Sequence, residues 1–316
     1  MLARLRARGA LPGFRGVRAA DPTVRRPQLS GLTLRVASGI VAVPLLLSIA
    51  YLGNPLYGIF IAAATAYAAT ELRSMLRQGG YSPIDWLLIG LAAALPLSAW
   101  LSGFWSSTAT AAGALSGTLP ALDPVLVLTV AVIVSLASLV VRPTERALVD
   151  WSVSLSMALY LGGFMLFYLP LRAQPSIFPG FWVAALLVLS WVSDSSAFFF
   201  GRAYGRTRLA PAISPNKSVE GAVAGLVAPA VVGLVVGALL GISPLMMGGY
   251  GLVIAVGTVV GDLIESLVKR QTGVKDSGVL IPGHGGLLDR MDSLLLCAPL
   301  AVLYLRALSA VGGVGA

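Results

Sequence analysis

Long apolar stretches recur along this chain and are separated by short polar segments. Runs of about 18 or more mostly apolar residues are typical of helices that cross a lipid bilayer. Their apolar residues are continuous rather than alternating, which argues against a transmembrane β-barrel. We therefore predict an all-α integral membrane protein, a polytopic bundle of about nine transmembrane helices, with spans near residues 33–52, 54–72, 84–102, 124–141, 151–171, 180–200, 219–241, 245–268 and 289–309.

The composition excludes an ordinary soluble domain. Mean hydropathy is +0.87, and only 11% of the 316 residues are charged, whereas soluble domains carry about a quarter. The single cysteine, Cys297, lies in an apolar stretch and leaves no disulfide to consider within the chain. The net charge of +9 is spread along the sequence rather than gathered on one basic face, so we expect no nucleic-acid partner.

Three regions differ in character along the chain. Residues 1–30 form a basic tail with seven arginines, interpreted as a cytoplasmic tail that meets anionic lipid, with a cleaved transit peptide as the alternative. Residues 31–180 supply N-terminal transmembrane helices, and residues 181–316 form a C-terminal transmembrane catalytic region. Within residues 31–180, the small and polar residues of 103–124 predict a loop or a partial re-entrant helix.

The basic residues between the predicted spans indicate an orientation. If the N-terminus is cytoplasmic, the only basic residues in the loops and helix ends of the external side are Arg172 and Arg306. Positive charge concentrates on the cytoplasmic side of membrane proteins. We therefore predict a protein of the cell (inner) membrane with a cytoplasmic N-terminus, an external C-terminus, and a cytoplasmic location for the polar stretch 275–292.

Charged residues gather in the last third of the chain. All three lysines lie there, Lys217, Lys269 and Lys275, and a lysine offers a compact charge suited to a phosphate oxygen. Five acidic residues fall between positions 262 and 292. A carboxylate at membrane depth costs about 2.5–3.5 kcal/mol on insertion scales unless it is paired or binds a cation.

Two explanations of these acids stay open at this point. Salt bridges such as Asp262–Lys269 and Asp289–Arg290 would neutralise two of them, but the five acids outnumber the nearby bases. A divalent cation would neutralise more of them, and carboxylates without a His/Cys cluster favour Mg²⁺ or Mn²⁺.

Helical spacing brings several of these side chains together. Asp262 shares one predicted helix face with Glu265, Ser266 and Lys269, and Asp289 and Asp292 are three residues apart on the next helix. Upstream, "SPNKSVEG" (214–221) offers Ser218 as a helix cap beside Lys217, an arrangement that suits an anion although basic loops with caps are common. The lone His284, in "PGHGG", suits either a phosphate or nucleotide contact or a structural hydrogen bond.

The stretch "SLVKRQTGVKDSGVLIPGHGGLLDRMD" (266–292) resembles the signature of the phosphatidate cytidylyltransferase family, also called CDP-diacylglycerol synthases. The fixed positions of that signature are met at Ser266, Lys269, Arg270, Lys275, Asp276, His284, Gly285, Gly286, Asp289, Arg290 and Asp292. The upstream segment is similar to the family's S-P-K-K-T-x-E-G, with Asn216 in place of the first Lys and Ser218 in place of the Thr. The strong similarity covers about the last 130 residues.

The resemblance implies a reaction in which CTP or dCTP and phosphatidate give CDP-diacylglycerol and pyrophosphate, with one or two Mg²⁺ ions. It also implies metal binding through Asp262 and Asp289, to which Asp276 and Asp292 add candidate ligands. The partners would be the nucleotide, phosphatidate in the bilayer and membrane lipids, and a homodimer stays open. The expected catalytic residues are Lys269, Arg270, Lys275, Asp276 and Asp289, and the expected substrate contacts are Ser214, Lys217, Ser218, Glu220, His284 and Arg290.

Two other functions are compatible with the charged cluster. A CTP-dependent polyprenol kinase, or a cytidylyltransferase for another lipid phosphate, would use the same nucleotide and metal chemistry. A cation transporter could use Asp262 and Asp289 alone, but it would not need the anion-binding lysines.

Overall fold

The computed structural model describes residues 31–103, 122–141, 143–278, 280 and 285–310, and for residues 31–38 the backbone alone. The basic tail, most of the segment predicted as a loop or re-entrant helix, and His284 lie outside the described residues.

The described chain is a helical bundle. Its helices are α1 (Gly31–Leu52), α2 (Leu56–Gln78), α3 (Leu91–Ser102), α4 (Pro124–Val141), α5 (Ala147–Ala158), α6 (Tyr168–Ala173), α7 (Phe181–Tyr204), α8 (Val219–Leu240), α9 (Pro244–Thr272) and α10 (Leu288–Ala310). Two π-helical turns extend this set, Trp86–Gly90 before α3 and Leu159–Gly163 after α5.

Several of these helices suit a membrane by length and composition. Within the described part of the chain, six segments are long and apolar enough to cross a membrane: Pro124–Val141, Ala147–Ala173, Phe181–Tyr204, Val219–Leu240, Pro244–Thr272 and Leu288–Ala310. Shorter apolar helices cover Gly39–Leu52 and Trp86–Ser102. The prediction of an all-α polytopic membrane protein is confirmed, and each of the nine predicted spans coincides with helical structure in the described chain.

The fifth predicted span is interrupted rather than continuous. Its helix passes through the π-helical turn, is interrupted by a turn at residues 166–167 and resumes as α6 at Tyr168. Tyr168 is buried at this break, where its carbonyl accepts from the Tyr57 hydroxyl at 3.1 Å. Its own hydroxyl donates to the carbonyl of Leu294 at 3.1 Å. The interrupted helix therefore connects α2 to α10 by hydrogen bonds.

Small residues let the C-terminal helices approach one another closely. The buried residues of α8 recur every four positions and so form one stripe: Gly221, Gly225, Pro229, Gly233 and Gly237. A Cβ at Gly225 would lie 3.2 Å from that of Ala197 on α7, and one at Gly237 would lie 2.9 Å from the Cα of Pro244 on α9. Such stripes are a usual way for membrane helices to pack backbone against backbone.

An antiparallel hairpin joins α7 to α8, where the sequence analysis predicted only a helix cap at Ser218 beside Lys217. Strand β1 (Arg208–Ala210) pairs with β2 (Ser214–Ser218), with Arg208 opposite Ser218. The Glu220 carboxylate accepts from the main-chain N–H groups of Arg206 and Thr207, both at 3.1 Å, and so fixes the segment that leads into the hairpin. Ser218 caps α8 by accepting from the Gly221 N–H at 3.2 Å, which confirms the predicted cap.

Candidate active site

A polar cavity of about 870 Å³ lies where α7, α8, α9, α10 and the hairpin meet. Among the described residues, five acidic and five basic side chains line it: Asp194, Asp262, Asp276, Asp289 and Asp292, with Arg202, Arg208, Lys217, Lys269 and Arg290. The formal charges of this lining therefore balance. A strongly anionic ligand entering the cavity needs extra positive charge, or needs the bases to exchange their carboxylate partners for it.

Lys217 and Asp262 form the first ion pair of the cavity. The Nζ of Lys217, on β2, lies 2.5 Å from the Oδ2 of Asp262, on α9. Ser266, one turn later on α9, donates its hydroxyl to the other Asp262 oxygen at 3.4 Å. Asp262 and Ser266 therefore share one face of α9, as their spacing predicted, and the hairpin places Lys217 against that face.

Lys269 forms the second group of ion pairs. Its Nζ lies 2.6 Å from Oε2 of Glu265 and 2.7 Å from Oδ1 of Asp289. The Glu265 carboxylate is only 2% exposed, so Lys269 offsets charge that would be costly to bury alone. The salt bridge between Asp262 and Lys269, one of the two explanations left open by the sequence, does not form here, because the hairpin supplies Lys217 to Asp262 and α10 supplies Asp289 to Lys269.

Asp289 also holds the ends of the loop that precedes its helix. Its carboxylate accepts from the N–H of Ser277 at 3.0 Å and from the N–H of Gly286 at 2.8 Å. The Ser277 hydroxyl in turn accepts from the Asp289 N–H at 3.3 Å. Gly285 has a φ of +84°, and a Cβ there would lie 2.6 Å from Oδ2 of Asp289, so a glycine is needed at this position.

Glu71 joins this loop from the N-terminal half of the chain, and the sequence analysis missed it. Its carboxylate is on α2, where it is 6% exposed, and it accepts from the N–H groups of Leu287 at 3.1 Å and Leu288 at 2.8 Å. The Ser277 hydroxyl donates to the same carboxylate at 3.4 Å. The available signal was an acidic residue at the end of an apolar span, which is expensive unless it has a partner.

Asp194, Arg202 and Arg208 received no role in the sequence analysis. All three line the cavity, from α7 and β1. Asp194 interrupts the apolar sequence of α7 within "WVSDSS", which was the usable signal. Only the packing of α7 against α8 and the hairpin brings it to the same cavity as Asp262.

The structure separates the predicted site residues into two groups. Those that line the cavity are Lys217, Ser218, Asp262, Lys269, Asp276, Asp289, Arg290 and Asp292. Ser214, Glu220, Arg270 and Lys275 lie outside this lining.

Three of these four residues, Ser214, Glu220 and Arg270, lie in the hairpin or contact it or the segment that leads into it. Ser214 pairs with Ala210 in the hairpin, and Arg270 donates its Nε to the carbonyl of Ile213 at 3.1 Å. Lys275 is exposed, beside Asp276. Ser214, Arg270 and Glu220 therefore contribute to the position of the hairpin.

Metal binding needs a change in the ion pairs. Within the described ranges, no three His, Cys, Asp or Glu side chains are arranged to hold a metal ion. Asp262 and Asp289 each contact a lysine instead. The donors that line the cavity are nevertheless carboxylate oxygens, the ligands that Mg²⁺ prefers, so the chemistry of the lining fits this ion.

Comparison with known proteins identifies the family of the chain. Residues 33–308 match the model of the cytidylyltransferase family. A phosphatidate cytidylyltransferase of Synechocystis is 31% identical over 86% of this chain and 96% of its own length, and one of Brucella abortus is 33% identical over 87% and 94%. A shorter match, to the phosphatidate cytidylyltransferase of Pseudomonas aeruginosa, is 50% identical over 40% of this chain and 47% of that protein. The chain belongs to the cytidylyltransferase family.

Proposed function

We propose that this protein transfers the cytidylyl group of CTP or dCTP to phosphatidate, giving CDP-diacylglycerol and pyrophosphate. Similarity over most of the chain to proteins that carry this activity in their names supports the proposal. The observation that carries it is structural: two lysine–carboxylate pairs, Lys217–Asp262 and Lys269–Asp289, line one cavity at the ends of membrane helices. A nucleotide triphosphate and a lipid phosphate both need cationic side chains for their oxygens. The lipid also needs a site that it can reach from the bilayer.

The reaction asks for positioning and charge neutralisation rather than a strong base. An oxygen of the phosphatidate phosphate already carries negative charge and attacks the α-phosphorus of CTP. The bond from that phosphorus to the bridging oxygen breaks, and pyrophosphate departs with the electron pair. Catalysis then depends on holding the two anions together and stabilising the charge of the leaving group.

The lysines of the cavity suit these tasks. Lys217 and Lys269 are partly buried, at 26% and 17% side-chain exposure, so their charges are less screened than those on an open surface. In the proposed complex each lysine exchanges a carboxylate oxygen for a phosphate oxygen of the nucleotide. Arg202, Arg208 and Arg290 line the same cavity and supply forked donors for phosphate.

Mg²⁺ is the proposed cofactor, held by Asp262 and Asp289, with Asp276 and Asp292 as further oxygen donors. When bound, such an ion neutralises phosphate charge and brings the two anionic substrates together. Release of these carboxylates from their lysines would accompany binding, so the acids and the bases of the cavity would each gain a new partner. We propose that one or two such ions bind in the cavity.

Pyrophosphate release by the purified protein tests the function. We expect release to need CTP or dCTP, Mg²⁺ and phosphatidate together, with CDP-diacylglycerol formed in equal amount. Parallel assays replace phosphatidate with a polyprenyl phosphate or a polyprenol. Turnover of those lipids instead of phosphatidate would contradict the proposed substrate, and absence of turnover with every lipid would contradict the enzymatic function.

We also propose that the N-terminus and the cavity face the cytoplasm. Cysteines placed at the exposed positions Gln78 and Thr207 should then react with a membrane-impermeant maleimide from the cytoplasmic side, in a Cys297→Ala background. A cysteine at the exposed Ser176 should react from the opposite side. Labelling of positions 176 and 207 from the same side would overturn this orientation.

A further inference from the structure

Glu71 is a buried carboxylate that reaches from the N-terminal helices to the beginning of α10. Its Oε1 accepts from the Leu287 N–H at 3.1 Å and its Oε2 from the Leu288 N–H at 2.8 Å. These N–H groups belong to the start of a 23-residue helix, where they have no partner within the helix itself. The partial positive charge of a helix N-terminus also favours a carboxylate at this place. Glu71 therefore completes α10 although it lies more than 200 positions earlier in the chain.

Gly278 and Gly286, described residues on either side of the loop before α10, lie close to this carboxylate. A Cβ on Gly278 would collide with Oε1 of Glu71, and a Cβ on Gly286 would lie 2.7 Å from both carboxylate oxygens. Both glycines thus leave the space that Glu71 occupies. A Cβ on Gly286 would also collide with the Ser277 hydroxyl, so Glu71 and Ser277 together give a physical reason for glycine at this position.

Ser277 connects Glu71 to Asp289. Its hydroxyl donates to Glu71 at 3.4 Å and accepts from the Asp289 N–H at 3.3 Å, while its N–H donates to the Asp289 carboxylate at 3.0 Å. One serine is therefore shared by the buried acid of α2 and the cavity acid of α10. A displacement of Glu71 releases the Ser277 hydroxyl and the first turn of α10 together.

We propose that Glu71 is a positioning residue for the reaction, which sets the place of Asp289 through Ser277 and the first N–H groups of α10. The proposal rests on the proposed function for its catalytic consequence. Glu71 does not line the cavity among the described residues, so it acts through Asp289 rather than on substrate. The N-terminal helices then contribute to catalysis as well as to the membrane anchor.

The variant Glu71→Gln tests this role, because the amide keeps the shape but turns one acceptor oxygen into a donor. We expect a fall in kcat of about 10- to 100-fold, the usual cost of losing a group that orients a ligand. KM for CTP should stay within about threefold, since binding contacts are kept. Hydrogen exchange in the protein without substrate should increase in peptides from the first turn of α10, and Glu71→Asp should recover part of the lost activity.

Thr65→Val is the matched control on the same helix. Thr65 is buried, and its hydroxyl donates within α2, to the Ile61 carbonyl at 2.7 Å, so the loss of a polar group there does not reach α10. We expect near-normal kcat and unchanged exchange at α10 for this variant. The double variant Glu71→Gln/Ser277→Ala should lose less than the product of the two single losses, because both changes break one network.

Two results would overturn the proposal. One is a Glu71→Gln protein with the kcat and the α10 exchange of the unchanged chain. The other is faster exchange in all helices with a matching fall in Tm, which would make Glu71 a general folding residue. Failure of the proposed function is distinguishable, since the unchanged protein would then be inactive while the exchange measurement still decides whether Glu71 orders α10.

Discussion

Close glycine contacts are distributed unequally between the two halves of this membrane bundle. In the helices before residue 174, large side chains fill the interior, and Leu72, Met75, Leu87, Leu88 and Leu161 are each less than 2% exposed. In α8 and α9, glycines lie at the contacts, and a Cβ at Gly251 or Gly233 would collide with a main-chain carbonyl of the neighbouring helix. Among the described residues, close backbone contacts therefore concentrate in the C-terminal half, although the N-terminal half also has one at Gly162, against Ala92.

The difference explains where the polar cavity can form. Close helix contacts fix the positions of the polar side chains at the helix ends, and a site for charge transfer needs such fixed groups. Five acids and five bases of the cavity come from α7 to α10 and their loops. The N-terminal half reaches this end of the molecule through the buried carboxylate of Glu71. Catalytic precision is thus expected to depend on the second half together with Glu71, and stability on both halves.

The largest effect is expected from Asp289→Asn, compared with Asp150→Asn in the first half. Each carboxylate accepts a main-chain N–H, from Ser277 at 3.0 Å and from Ser82 at 3.1 Å respectively. Asp289 also lines the cavity and pairs with Lys269, so its neutralisation should lower turnover about 10²–10³-fold. Initial rates of pyrophosphate release from detergent-purified variants measure this.

Asp150→Asn should keep turnover within about threefold, because Asp150 lies outside the cavity lining. Equal activity of the two variants would remove Asp289 from the active site, provided that both purify as the unchanged protein does. If both variants were inactive, the two halves would not differ in their contribution to catalysis.

A smaller effect is expected from adding a methyl group at a close helix contact. A Cβ at Gly261 would lie 2.7 Å from the Asp292 carbonyl, and one at Gly162 would lie 2.7 Å from the Cα of Ala92. Overpacking of this kind destabilises a protein by about 1–3 kcal/mol, so Gly261→Ala and Gly162→Ala should lower Tm similarly. Gly261→Ala should also reduce kcat/KM about 10- to 100-fold, since it shifts the helices that carry Asp262 and Asp292.

Thermal unfolding and kinetics of these two variants at a temperature below both midpoints separate stability from activity. Loss of activity in Gly162→Ala as large as that in Gly261→Ala would show that the halves respond alike. The dependence of catalysis on close packing would then not be a property of the C-terminal half.

The smallest effects are expected from two lysines of the C-terminal half: Lys217, which lines the cavity, and Lys275, which lies outside its lining. Lys217, paired with Asp262 in the cavity, should mainly hold the triphosphate, so Lys217→Ala should raise KM for CTP about tenfold. The leaving-group role predicted for Lys275 stays a prediction, and Lys275→Ala should then mainly lower kcat, by about tenfold because the lysine is exposed. A change in KM alone for Lys275→Ala would contradict that role.

Sequence reasoning predicted the features that depend on neighbouring residues. Continuous apolar runs predicted the helices, the spacing from Asp262 to Ser266 predicted a shared helix face, and Ser218 before an apolar run predicted a cap. It missed the hairpin of residues 208–218, whose short strands have no alternating apolar pattern. It also left open which acid pairs with Lys269, because helical spacing describes one helix and carries no information about a second one such as α10, which supplies Asp289.

The sequence by itself determined the class of the protein, the approximate spans and the cytidylyltransferase signature, because hydropathy and motif spacing are local along the chain. The tertiary structure decided which charges meet. Lys217 contacts Asp262 across a hairpin, Lys269 contacts Asp289 across two helices, and Glu71 meets the start of α10 from the other half of the molecule. These contacts join residues that are far apart in sequence. They depend on the distances between helices, which are determined by the glycine contacts and the buried side chains.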